Sequence, residues 1–119
     1  MGLNSTREQL LTNMTGWNIY PYDVPSVNFP AAVVGFPEVT FDRDYGKRRI
    51  YSVVVRLMVS MADEKSAQIK LGEGVDAVQA AVEASGLRNA QVLSATGLFE
   101  MNQGPTKALL VEIEVQYTD

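Results

Sequence analysis

No histidine and no cysteine occur in the 119 residues of this chain. Without imidazole the commonest general base and metal ligand is missing. Without thiols there is no disulfide framework, no thiolate nucleophile and no cysteine metal site. Positive charge is also scarce: 10 Lys and Arg stand against 14 Asp and Glu, a formal net charge of -4. General nucleic-acid binding draws its affinity from an excess of basic side chains, so it is excluded as the main activity. Long apolar runs are lacking too. No segment approaches the roughly 18 apolar residues of a membrane-spanning helix, and the start Met1-Gly2-Leu3-Asn4-Ser5 has no run of signal-peptide character. The expectation is a soluble, intracellular product, without membrane contact, that folds by burial alone.

What the chain does have is apolar alternation. Hydrophobic residues make up 46% of it, enough for one domain with one core across residues 1–119. From Tyr51 to Met61, the residues Tyr51, Val53, Val55, Leu57, Val59 and Met61 alternate with a more polar set. From Lys107 to Tyr117, Leu109, Val111, Ile113, Val115 and Tyr117 do the same. This period of two predicts two long strands that share one dry sheet face.

Asp63 is placed to N-cap a helix through Leu71, and Gly72-Glu73-Gly74 is expected to break it before a second helix from Val75 to Ser85, stopped by Gly86. Gln91 to Met101 predicts another strand. Upstream, Ser5-Thr6-Arg7-Glu8 has capping-box form for a short helix carrying Leu10, Leu11 and Met14. Trp17 to Tyr20 suits a brief strand, and the run between Pro30 and Pro37 a short buried one. Val39 to Phe41 leads through the charged connection Asp42 to Arg49 into the long strand, as a hairpin. The order predicts a two-layer α+β domain, an antiparallel β-sheet with its helices packed on one face.

No catalytic, cofactor or metal constellation emerges. The available bases are lysines and carboxylates with no motif around them. Glu112 and Glu114 share a strand face, which reads as the solvated side of that strand rather than a catalytic carboxylate pair. Asp42 and Asp44 lack the spacing of a calcium loop, and Gly72-Glu73-Gly74 lacks the lysine and the further glycine of a phosphate loop. The expectation is a protein that is not an enzyme and acts by shape.

Two features bear on assembly instead. On the strand from Tyr51 to Met61, the second face carries Val54 and Met58 between Ser52 and Arg56, a half-apolar row that either another chain or a loop of the same chain would cover. Lys47-Arg48-Arg49, after Tyr45, is the one concentrated basic run; it suits contact with a partner, solubility of a hairpin tip, or phosphate. Asp42 and Asp44 give the same loop both signs, which favours pairing between protein surfaces.

The order of these segments carries a family resemblance. A short N-terminal helix is followed by Ile19-Tyr20-Pro21-Tyr22-Asp23-Val24-Pro25 and Phe29-Pro30-Ala31-Ala32-Val33-Val34, then by the long strand. Lys65-Ser66-Ala67-Gln68 opens a helix, and Val78-Gln79-Ala80-Ala81-Val82-Glu83-Ala84 lies in the next. Over nearly its whole length the chain resembles the tail terminator proteins, the tail-completion or neck-type proteins of long-tailed bacteriophages. The resemblance implies a small structural subunit of the virion, assembled in the host cytoplasm as a hexameric ring at the head-proximal end of the tail tube. Such a ring stops tube polymerisation and presents a surface for head-tail joining. Its partners would be further copies of itself, the tube protein and a head-closure or connector protein, while DNA passes through the ring without sequence-specific binding. Tyr45, Lys47, Arg48, Arg49, Val54, Arg56 and Met58 then become candidates for subunit-interface or lumen positions. The short Leu71-Gly72-Glu73-Gly74 link and the compact Gly86-Leu87-Arg88-Asn89 turn depart from the fuller family pattern. A neck or head-closure connector, and an oligomeric ferredoxin-like binding module unrelated to phage, are the alternatives.

Overall fold

The alternation in Arg48–Ser60 and Thr106–Thr118 becomes two adjacent thirteen-residue strands, in a computed structural model that describes residues 2–42, 48–103 and 106–118. In chain order the elements are α1 (Leu3–Leu10), β1 (Asn18–Tyr20), β2 (Ala31–Val34), β3 (Glu38–Asp42), β4 (Arg48–Ser60), α2 (Glu64–Glu83), β5 (Arg88–Gln103) and β6 (Thr106–Thr118). β4 and β6 pair antiparallel so that Tyr51 faces Tyr117, Val53 faces Val115, Val55 faces Ile113 and Leu57 faces Val111. All eight are buried. A one-residue slip would turn every one of these side chains to the opposite face, so the dry face fixes the register.

The sheet runs β1-β2-β4-β6-β5, with β3 beside β4 on the same edge as β2. β2 and β3 are two halves of one interrupted strand. Gly35 still donates its N–H to the Val54 carbonyl at 2.9 Å, and the chain breaks pairing over Phe36 and Pro37 before β3 resumes it opposite Ser52. The α+β class and the antiparallel core of the sheet stand as expected. One addition is the parallel pairing of β1 with β2.

α2 lies across the dry face and reaches β4, β5 and β6. Its buried residues, Ala67, Leu71, Gly74, Val78, Ala81 and Val82, recur at three- and four-residue steps and so line one stripe. Here the expected pair of helices is corrected: a single twenty-residue helix runs through Gly72 and Gly74. Helix propensity at two glycines is outweighed by packing. A Cβ on Gly74 would lie 2.5 Å from Trp17 Cζ2 and 2.9 Å from Leu57 Cδ1, so the missing side chain lets the helix approach the sheet. Gly86, at φ +77°, then turns the chain out of the helix into β5, as the sequence indicates.

The N-terminal helix also differs from expectation. It begins at Leu3 with Gly2 as its N-cap, so Ser5 lies inside it and forms no capping box. The helix is fixed by contacts beyond itself. The Thr6 and Tyr117 hydroxyls are 3.1 Å apart, Arg7 Nη2 donates to the Val34 carbonyl at 3.1 Å, and Gln9 Nε2 donates to the Ser85 carbonyl.

Asp63 is the N-cap residue of α2, as expected, and its carboxylate accepts the Ser66 hydroxyl at 2.5 Å. That hydrogen bond holds the Asp63 carboxyl below its ordinary value of 3.8. A depressed folded-state value means that its contribution is present above the unfolded-state value and is lost as pH falls through the folded one. Asp63→Asn is therefore expected to melt lower than the parent at pH 6. The gap should narrow below about pH 3. Thermal melts of both proteins at the two pH values check this; a gap that does not change with pH would contradict it.

Candidate functional site

The second face of the sheet divides into a covered end and an open end. At the covered end Ala31, Val33, Met58 and Leu110 form a small apolar cluster, with Tyr20, Val27, Phe29 and Met101 packed against it. Met58 thus belongs to the interior, covered by residues of its own chain that precede and enter β2. This corrects its expected place on a subunit interface. The sequence row around Val54 and Met58 left both covers open; the loop of the same chain provides the one over Met58.

At the open end the same face is polar and mostly acidic. Ser52, Val54 and Arg56 of β4 stand opposite Gln116, Glu114 and Glu112 of β6. Val54 is half-buried and Arg56 exposed. The interruption between β2 and β3 opens a groove of about 410 Å³ here, lined among others by Asp23, Phe36, Glu38, Val54, Arg56 and Glu114. Arg56 Nη1 and Asp23 Oδ1 lie 3.5 Å apart, and both side chains are largely solvated, so the pair orients the loop more than it stabilises the fold. Glu112 and Glu114 occupy the wet side of β6, the position the alternation gives them.

Of the basic run, Tyr45 and Lys47 lie outside the described residues. Arg48 is the first residue of β4, opposite Asp42. Arg49 is half-buried, and its guanidinium carbon lies 5.3 Å from the centroid of the Tyr51 ring, a cation–π contact within the chain. Arg49 therefore sits on the Tyr51 side of β4 and not on the face that carries Val54 and Arg56.

Several surface residues were not singled out from the sequence. Phe36 is 70% exposed, in the break between β2 and β3, and Phe41 is 68% exposed, near the end of β3. On the opposite edge, β5 exposes Leu93 (46%), Leu98 (47%) and Phe99 (41%). The available signal was the departure from alternation: Leu93 directly follows Val92, and Leu98 and Phe99 are adjacent apolar residues in the same strand. Phe36 is also held from below. The Arg7 guanidinium, itself buried, sits 5.3 Å from the Phe36 ring centroid and 4.7 Å from that of Tyr22. The Tyr22 hydroxyl donates to the Glu8 carboxylate at 2.6 Å, which raises its pKa above the ordinary 10.0.

A second cavity, of about 320 Å³, opens between the N-terminal end of α2 and the start of β2, with Phe29, Pro30, Val59, Ala67 and Lys70 in its walls. Its apolar floor suits an inserted side chain better than a charged substrate. Among the described residues no group of three or more Asp or Glu side chains is placed to hold a metal ion, and no helix is long and apolar enough to cross a membrane. What the geometry offers is surface: an acidic sheet face and two apolar edges. No family model matches the sequence, and comparison with curated proteins finds no significant relative.

Proposed function

We propose that this chain is a structural tail terminator, a ring-forming virion protein that caps a tail tube, halts its growth and offers the surface on which the head is attached. The observation that carries the reading is the open sheet face. Glu38, Glu112, Glu114 and Asp23 gather there around Arg56, on a chain whose net charge is -4. Turned toward a channel in several copies, such a face repels phosphate and lets DNA slide past without sticking. The family resemblance in the order of segments supports the same reading and supplies the hexameric ring and the host-cytoplasmic assembly.

In this role Arg56 and Val54 lie on the channel side or beside it, and partner contacts come from the sheet edges and the ends of the domain. The function is geometric, with no reaction to catalyse. The neck or head-closure role uses the same surfaces and differs in position within the particle.

Electron microscopy of the purified protein added to polymerising cognate tail tube protein tests the reading. The expected result is tubes of uniform length with a ring at one end, against long tubes of scattered length without it. Tubes whose length and ends are unchanged at any protein concentration would overturn it.

A further inference from the structure

The apolar surface left outside the core is concentrated at the two lateral edges of the sheet. Among the described residues β5 pairs only with β6, and no strand pairs the outer side of β3. From Asn89 to Phe99, β5 contains no charged residue and no proline, the usual devices that keep an edge strand from meeting another chain. Its register shifts between Val92 and Ser94 and again between Thr96 and Phe99. Irregularities at an edge commonly protect it by twisting it away. These two instead accompany outward-facing leucines, Leu93 and Leu98, which are exposed.

We infer that the first half of β5 of one copy, Arg88 to Ser94, docks against the open outer side of β3 of a second copy, Leu93 meeting Phe36 in a head-to-tail contact, while β1 already covers β2. The inference deepens the ring reading and rests on it for the choice of a head-to-tail over a two-fold contact. Strand sense permits it. β3 runs against β4, whereas β4 and β5 both run against β6, so β5 and β3 are opposed. Rotation about an axis along the strands preserves these directions and gives an antiparallel meeting.

Height along the strands also matches. Thr40 faces Ile50, Ile50 faces Thr118 and Thr118 faces Arg88, while Glu38 is linked in the same way through Ser52 and Gln116 to Gln91. In a ring without rise, the exposed Arg88 of one copy therefore comes level with β3 of the next, within side-chain reach of the exposed Glu38. Gly35 is at the level of Val54 and Glu114, where Ser94 lies, so the next residue, Phe36, comes beside Leu93. Apolar side chains meet apolar ones, and a cation meets a carboxylate. Arg7 and Tyr22 hold Phe36 in place before contact, which lowers the ordering cost of association. A heterologous contact of this kind closes into a ring when its rotation divides the circle.

Edge-blocked variants test it by sedimentation velocity and native mass spectrometry on the full chain. Phe36→Asp with Phe41→Asp blocks one edge; Leu93→Asp blocks the other. The parent is expected to self-associate with rising concentration, each blocked variant to stay monomeric, and an equal mixture of the two to form a 1:1 heterodimer and nothing larger. Arg88→Glu and Glu38→Arg, both at exposed positions, should each weaken parental self-association roughly tenfold, and together restore it.

A parent that remains monomeric to about 1 mM, or a mixture that stays monomeric, overturns the inference. So does a Phe36/Phe41 variant that associates like the parent, because a two-fold β5–β5 contact would then be the one in use. Heterodimer formation together with failure to cap tail tubes upholds the edge contact and overturns the terminator reading, so the two are separable.

Discussion

Gly74→Val is expected to lower stability by about 3 kcal/mol, the upper part of the range for overpacking, and to reduce the melting temperature by on the order of 10 °C. The Cβ alone would come within 2.5 and 2.8 Å of Trp17 ring atoms and 2.9 Å of Leu57 Cδ1. Leu57 is fully buried at the centre of β4 and has no space into which to retreat. The Trp17 ring also carries the Lys70 ammonium 5.2 Å from its centroid, so moving it disturbs a second contact. Gly72 supplies the control. A Cβ there meets nothing within 4 Å, so Gly72→Ala keeps the fold and removes backbone freedom, a gain of about 0.8–1 kcal/mol for the helix interior. Urea and thermal denaturation of the two variants should thus move in opposite directions. Equal effects from both would show that α2 is not pressed onto the sheet at Gly74.

The same two glycines show where the sequence is and is not legible. A local rule reads Gly-x-Gly as an end of helix, because each glycine costs backbone entropy. That rule omits the third dimension. The stripe from Ala67 through Leu71 to Val78 and Val82 keeps its phase across the glycines, and this phase was the signal that one helix continues. The capping box at Ser5 failed for a similar reason. Hydrogen bonds to Tyr117, Val34 and Ser85, all remote in the chain, hold α1 and let it start three residues earlier.

The long strands were readable because their whole pattern is local. Five consecutive odd positions from Tyr51 to Val59, and five from Leu109 to Tyr117, commit to one face, and the pairing of Tyr51 with Tyr117 follows from making those faces coincide. Met58 was not readable, since its cover comes from Val27 and Phe29 in a segment whose path is set by prolines rather than by periodicity. The edge residues Phe36, Phe41, Leu93 and Leu98 were partly readable. Each interrupts an otherwise polar or buried pattern, but only the strand order shows that they occupy opposite sides of one sheet. Candidate interfaces in small sheet proteins are therefore better sought among apolar residues that break alternation than among those that obey it.

Tyr117→Ala is expected to cost about 3–5 kcal/mol, the range for emptying a buried aromatic site, a large part of the 5–15 kcal/mol that stabilises a typical domain. The Tyr117 ring is fully buried and stacks on Tyr51 with centroids 5.0 Å apart. Its hydroxyl meets that of Thr6, which in turn donates to the Leu3 carbonyl. Removing the ring thus creates a cavity at the end of β6 and cuts a tie to α1. Tyr117→Phe separates the two effects: the stack remains, the tie goes, and the expected loss falls to about 1 kcal/mol. Because Arg7 of α1 carries Phe36, loosening the helix also reaches the sheet edge. In Tyr117→Ala at temperatures where the sheet is still folded, amide exchange should quicken in α1 before it does in β4, and self-association should weaken although neither edge has been mutated. A Tyr117→Ala protein within 1 kcal/mol of its parent, or one whose α1 amides exchange no faster, would mean that α1 is anchored elsewhere and that Phe36 owes its position to another contact.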